Sequence, residues 1–407
     1  MSHAAGRRCG RGRCWRRNRP TGALAAALCA AVLCATVTSA CSSPAATPGA
    51  TDSGAGTSVA GVLASSFASQ GKAWAVVAMG HLDDPANTFW QLLVRPTGSS
   101  RWQLATPPGV ASNGGLVASF TPPGTVTAGF EPSIDLHFSP LAQQSEPAAT
   151  WSPGVLPAGL AFTPDALAAS GEHRYLALLR TGGGRVVASS GDLSTWSTVT
   201  SARSLAGDPA ASACGITALT AVTFGDGGAG VVGTTCSHGS RPGIFESVGG
   251  SWQAVGPVLP GPSGPIRVLR LLDTPAGISA LVSSGTAGSR TLYALFSDDG
   301  LRTWTVSAGL SLDRASLTST GITADGGLIV STGGGGDRSA SVVGPSGGRW
   351  QPLAAPPAGT SAVVGGPGGT FEALMADQST LAVEALGAGG WHRVESLSVP
   401  IQYGSSS

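Results

Sequence analysis

Ser297-Asp298-Asp299-Gly300-Leu301-Arg302-Thr303-Trp304 is the stretch on which the fold turns. It follows a run of strand formers at 292–296 (Leu-Tyr-Ala-Leu-Phe), bends through two acids and a glycine, and ends on a Trp that opens the next run. A β run, a short polar turn and an aromatic restart are the marks of a hairpin. Asp and Ser suit the turn because their side-chain oxygens accept bonds from backbone N–H groups just ahead. Trp suits the restart because its ring buries a large apolar area against a neighbouring sheet.

The hairpin recurs. Trp stands at 102, 151, 196, 252, 304, 350 and 391, at intervals of 49, 45, 56, 52, 46 and 41. An apolar run and a turn rich in Gly, Ser, Pro or Asp precede each one, the turn before Trp151 being the most diffuse. Ahead of each lies a second hairpin. Its turns include Pro122-Pro123-Gly124, Gly225-Asp226-Gly227-Gly228, Asp325-Gly326-Gly327 and Gly366-Pro367-Gly368-Gly369. In the third copy the expected strands are 160–162 and 175–179.

About four short strands per repeat of roughly 48 residues cannot bury both faces of one small sheet. Packing such sheets around an axis covers each face with a neighbour and leaves only short edges. The expectation is all-β: a seven-bladed β-propeller with four antiparallel strands per blade over residues 58–403, with six or eight blades as alternative counts. The run 397–403 is the candidate for a strand that closes the ring. Composition agrees, because 42% hydrophobic residues with only 11% charged opposes disorder, and frequent Gly and Pro punctuate strands.

The net charge of +1 hides an asymmetry. Residues 1–40 hold seven Arg and no acid, leaving 16 basic against 22 acidic side chains in the remainder. A mildly acidic remainder lacks the footprint of a nucleic-acid binder, so no nucleic acid is expected as partner. The apolar run 23–37 is shorter than the ~20 residues a spanning helix needs and reads as the core of a signal peptide over 1–40. Thr38-Ser39-Ala40-Cys41 ends it and resembles the lipobox of bacterial lipoproteins, with Thr38 where that family prefers Leu. The resemblance implies a diacylglycerol on Cys41 and a protein anchored on the extracytoplasmic face of the cell membrane. Cleavage after Ala40 and secretion is the alternative. Residues 41–57, rich in Ser, Pro, Gly and Ala, read as a tether.

Cys214 and Cys236 are the cysteines that remain after Cys41. They flank the turn at 225–228 symmetrically, and an exported protein is expected to pair them. A redox or metal pair is the alternative, with His238 as the nearby histidine.

Ser297, Asp299, Thr303 and Trp304 resemble the Asp-box, the bacterial neuraminidase repeat of sialidase-like propellers (S-x-D-x-G-x-T-W), with Leu301 in the place of its Gly. Ser189, Thr195 and Trp196 read as a partial copy in which Gly191 stands where the Asp belongs. In that family the box is peripheral and structural. Its enzymes clamp a carboxylate with three Arg and use a Tyr–Glu nucleophile pair with an Asp acid/base.

The groups available here are sparse. Tyr occurs at 175, 293 and 403; Arg95, Arg174, Arg180, Arg267, Arg270 and Arg290 are the candidates for convergence on the axis. Asp135, Asp165, Asp208, Glu246, Asp313, Glu372, Asp377 and Glu384 fall mostly at turn edges. Glu172-His173-Arg174 heads a strand, His81-Leu82-Asp83-Asp84 shares one loop, and Gly333 to Gly336 before Asp337 reads as a hairpin loop rather than a phosphate loop. No pattern calls for a metal or a cofactor. The expected function is a monomeric, non-catalytic binding or assembly platform for a protein or glycan ligand. The alternative is an exo-sialidase-like glycoside hydrolase or lyase with an axial pocket. Three converging Arg, or a pair of convergent carboxylates, is the feature that bears on the choice.

Overall fold

The computed structural model describes residues 63–69, 71–84, 87–107, 115–121, 125–130, 139–144, 150–171, 173–274, 276–286, 288–334 and 337–401. Cys41, the signal and tether segments, Asp135, Glu172 and Tyr403 lie outside them. The architecture is an all-β propeller. Among the described residues the strands fall into seven successive antiparallel meanders, here called units: 64–104, 116–156, 159–201, 216–254, 266–311, 316–352 and 360–398; each has four strands, and the third and fifth carry one further two-residue strand, at 159–160 and 310–311. The chain runs from the first strand of each unit to its outermost strand, then crosses to the next unit.

The first strands lie side by side at the centre. Ala64 and Ser65 pair in parallel with Ser319 and Thr320 of the sixth unit, and Thr235 and Cys236 of the fourth unit pair with Arg267 and Ile266 of the fifth. These two junctions merge four of the units into two larger sheets. First and second strands are buried on both faces, as over 219–224 or 280–284, because a sheet sits on either side. Outermost strands are mostly exposed, as in Trp196–Ser201 and Gly390–Ser398.

The third unit departs from the sequence-based expectation. Its first strand is Leu167–Ser170, pairing with Arg174–Thr181, whereas Leu160 belongs to a two-residue strand against Leu179. Leu160 and Leu167 are both buried, so periodicity alone does not choose between them.

The repeated Trp explain how units stack. Trp196, Trp304, Trp350 and Trp391 donate their indole N–H to the carbonyls of Val155, Val255, Ala308 and Ala354, at 2.7–3.1 Å. Each acceptor lies in or just beyond the outermost strand of the preceding unit. Trp102, in the first unit, donates instead to Glu372 of the seventh at 2.9 Å. The seventh unit therefore precedes the first around the ring.

The seam between them corrects the expected closing strand at 397–403. Gly390–Ser398 is the seventh unit's own outermost strand, and Val399 bonds back to Ser379. Among the described residues the seam is held by side chains and by one bridge, Gly80 to Gln378. Ser66 bonds the Val363 carbonyl, Glu395 accepts from the Trp102 amide, and Arg95 ion-pairs with Glu372.

In the turn at 297–304, Ser297 Oγ bonds Asp299 and accepts from the Leu301 amide, while Asp299 accepts from the amides of Arg302 and Thr303 and from the Thr303 hydroxyl at 2.6–3.1 Å. Gly277 faces this turn at φ +92°, where a Cβ would collide with the Ser297 carbonyl. The turn before Trp196 is built the same way, but by Ser190 and Asp192 rather than Ser189 and Gly191. Asp192 accepts from the Ser194 and Thr195 amides at 2.9 and 2.7 Å. It is one residue shorter, which displaced the expected alignment by one. Cys214 and Cys236 form a disulfide, Cα–Cα 4.7 Å, across the first two strands of the fourth unit.

Candidate functional site

Alternating strand direction sorts side chains between two ends of the propeller. Every first strand starts at the crossover end, where the chain arrives from the previous unit, and finishes at the hairpin end. The first strand of the fifth unit, Ile266–Thr274, carries charge at three levels: Arg267, Arg270 and Asp273.

Arg270 seals the middle. Its Nε donates to Asp165 Oδ2 at 2.8 Å and its Nη1 to Thr320 Oγ1 at 2.6 Å. The same Asp165 oxygen accepts from the Leu271 amide, and the Asp165 carbonyl accepts from the Val222 amide. Arg270 and Asp165 are each 3% exposed. One ion pair thus ties segments of the third, fourth, fifth and sixth units together. With both partners buried, it is a structural plug, since breaking such a pair strands a buried charge.

At the crossover end, Arg267 is half-buried and its Nε is buried without a hydrogen-bond partner. Burial pushes its pKa down, and the charges of Arg185 and then Arg290 push it further in the same direction. Arg185 comes from the third unit and donates Nη1 to the Leu219 carbonyl at 2.9 Å. Arg290 opens the third strand of the fifth unit, opposite Gly285. Three guanidiniums close enough to repel, one with an orphaned donor, form a site whose charge is relieved by an anion.

At the hairpin end the sign reverses. Asp226, in the first turn of the fourth unit, bears on two other carboxylates. Burial and then Asp226 raise the Glu246 pKa, and the same two causes push Asp273 up to about 6. A Cβ on Gly300 would lie 3.0 Å from the Asp226 carboxylate, so Asp226 also abuts the 297–304 turn. Arg174 reaches in from the third unit, donating to the Gly228 carbonyl at 3.0 Å and covering the Phe224 ring at 5.7 Å. Among the described residues no group of three or more His, Cys, Asp or Glu side chains is placed to hold a metal ion.

The candidate residues therefore part company. Arg267 and Arg290 meet, Arg270 is locked in the plug, Arg174 lies at the hairpin end, Arg180 is exposed at the crossover end, and Arg95 is at the seam. Tyr175 bonds Gln143 at 3.0 Å and Tyr293 bonds the Pro260 carbonyl at 2.9 Å, so both hydroxyls serve packing. In the 81–87 loop the Asp84 carboxylate accepts from Asn87 at 2.6 Å, a local brace. His238 Nδ1 lies 2.9 Å from Ser237 Oγ beside the disulfide hairpin.

Arg185 was not among the sequence candidates. The signal that finds it is repeat phase: Arg185, Arg290 and Arg338 are each the second residue of a third strand, in the third, fifth and sixth units.

Comparison with solved structures returns the same architecture. A protein of Bacteroides fragilis provisionally named a 6-phosphogluconolactonase superposes with a TM-score of 0.51 at 13% identity, covering 81% of this chain and 96% of its own. A protein of Bacteroides uniformis with the same provisional name gives 0.50 at 14% identity, covering 81% and 97%. A Lactobacillus plantarum protein gives 0.50 at 10% identity, covering 80% and 96%. The likeness is one of fold. No protein-family model matches the chain, and no curated protein matches it.

Proposed function

We propose that this chain is an extracytoplasmic, non-catalytic binding platform, a monomeric propeller anchored through a lipid on Cys41, that captures an anionic group of its partner at the Arg185–Arg267–Arg290 mouth. The observation that carries the reading is the orphaned, half-buried Arg267 donor between two further guanidiniums. Propellers display residues on a rigid scaffold, and a preformed cationic mouth recognises carboxylate, sulfate or phosphate without rearrangement. The Asp-box reading of the repeats is supported by the shared bonding of Asp299 and Asp192, both on turns remote from this mouth.

The test is thermal unfolding with inorganic phosphate, sulfate and a sialic acid. Wild type is expected to be stabilised by at least one of them and Arg267→Gln by none. No stabilisation of wild type by any of the three overturns the anion site. For the anchor, Cys41→Ala is expected to move the protein out of the membrane fraction, and an unchanged fraction overturns it.

One observation favours the glycoside hydrolase reading. Burial and then the Asp226 charge push the Asp273 carboxyl up to about 6, and a carboxyl held above its ordinary range beside a second carboxylate is what a general acid for glycosidic hydrolysis requires. Turnover of fluorogenic glycosides that vanishes in Asp273→Asn would replace the platform reading with this one.

A further inference from the structure

Charge is sorted between the two ends through the third to sixth units, whereas in the first and seventh the crossover end carries Asp83, Asp84 and Asp377. In the third to sixth units, eight of the described guanidiniums lie at the crossover end: the three of the mouth and a rim of Arg180, Arg203, Arg241, Arg314 and Arg338. The rim residues are all exposed. Asp208, Asp313 and Asp337 are the carboxylates there, and the first two are held in local turns by the Ala210 amide and the Ser311 hydroxyl. At the hairpin end of the same units the balance inverts, with seven carboxylates against Arg174, Arg302 and Arg349.

The direction of the first strand adds a second observation. Ala64–Ser69 runs parallel to Ser316–Ile322, so the chain enters the first unit at the crossover end. If the Cys41 anchor holds, the tether joins the described residues at this end.

We propose that the crossover end of the third to sixth units is a docking surface for anionic phospholipid headgroups, their phosphates meeting the Arg185–Arg267–Arg290 mouth and the surface potential acting on the rim. The proposal rests on the anion-capture reading and names its partner. A basic surface is drawn to an anionic bilayer roughly in proportion to the charges brought within a Debye length. Docked this way, the propeller turns its acidic hairpin end, with the Asp226–Glu246–Asp273 set, away from the bilayer.

The test uses the full chain carrying Cys41→Ala, so that no lipid anchor contributes. It is sedimented with vesicles of phosphatidylcholine alone and with vesicles about one-third phosphatidylglycerol, at low and at high salt. Two variants carry the comparison. Arg203→Glu with Arg314→Glu reverses the rim, and Arg302→Glu with Arg349→Glu makes the same charge change at the hairpin end. Binding is expected to require phosphatidylglycerol, to fall with salt, and to weaken about tenfold or more in the rim variant while the hairpin-end variant matches the parent. Equal loss in both variants, or no preference for phosphatidylglycerol, overturns the proposal. So does binding to a soluble anionic polysaccharide with none to vesicles, which assigns the surface to a glycan. Arg267→Gln separates the two readings: if it abolishes stabilisation by inorganic phosphate yet vesicles do not bind, anion capture stands and lipid docking falls.

Discussion

Arg95 and Glu372 form a buried ion pair across the seam where the last unit meets the first. Arg95 also donates Nη2 to the Gly365 carbonyl at 3.2 Å and lies 5.4 Å from the Trp102 ring, whose indole N–H donates to Glu372 at 2.9 Å. Burial raises the Glu372 pKa although Arg95 and Trp102 pull it down, and burial lowers that of Arg95 although Glu372 pulls it up. In both partners desolvation outweighs pairing, so the pair matters more when broken than when removed whole. Glu372→Ala is expected to cost about 3–5 kcal/mol, because it strands a guanidinium and the Trp102 N–H. The double variant Arg95→Met, Glu372→Leu is expected to cost distinctly less. Urea unfolding of both checks this; equal losses would mean that the seam depends on volume rather than charge.

The Cys214–Cys236 bond braces the fourth unit, whose second strand pairs with the first strand carrying Arg267 and Arg270. A closure of 22 residues is worth about 3 kcal/mol in the chain-entropy picture. Replacing both cysteines with Ser is expected to lower unfolding stability by that order. It is also expected to loosen Ile266 and Arg267 before the other units, since these residues pair directly with Thr235 and Cys236. Hydrogen exchange resolved along the chain measures both; uniform loosening of all units would contradict the local role.

How much of this was legible follows from which signals are local. The Trp spacing reports a repeated hairpin because the rings of Trp196, Trp304, Trp350 and Trp391 do the same job, each donating to the unit before it. The Ser190–Asp192 turn was misaligned because a one-residue deletion leaves its bonds to Ser194 and Thr195 intact while shifting the pattern. The seam was illegible: Arg95 and Glu372 meet only because the ring closes, and nothing local to either residue marks the other. The plug was hidden likewise, since Asp165 sits among turn-edge acids in sequence but reaches Arg270 two units on. The arginine mouth was half legible. Arg267 and Arg290 were candidates, and Arg185 needed the phase of the third strands, which becomes visible only once strand boundaries are known.

The two Ser–Asp turns predict an acid limb. Hydrogen bonds hold both carboxylates below their ordinary range: for Asp192 chiefly the Thr195 amide and then that of Ser194, and for Asp299 the Thr303 hydroxyl and then its amide. A group whose folded pKa is depressed contributes stability above its unfolded value, near 3.8, and loses it as pH falls toward the folded value. Asp299→Ala is therefore expected to melt lower than wild type near neutral pH, with the gap closing as pH drops below about 4. Both carboxylates are fully exposed, so the shift is expected to be modest and to shrink with salt. Melting curves over a pH series check the convergence; a gap that stays constant to low pH would place the effect in the turn's backbone instead.

Asp273 predicts the opposite slope. Its carboxyl is pushed up to about 6 by burial and then by Asp226, so the folded protein binds this proton more tightly than the unfolded chain. The stability it contributes is full below the unfolded value near 3.8 and is lost as pH rises through about 6. Residue 273 keeps an exposed surface, so water screens part of the repulsion and the slope is expected to be shallow. Asp273→Asn, which keeps the shape and removes the charge, is expected to flatten the melting temperature between about pH 5 and pH 7. Asp226→Asn is expected to lower the Asp273 pKa and to flatten the profile less, because burial, the larger cause, remains. Carboxyl titration by nuclear magnetic resonance in the Asp226→Asn variant reads this directly. An Asp273 that still titrates near 6 there would leave burial as its sole cause and remove Asp226 from the pair.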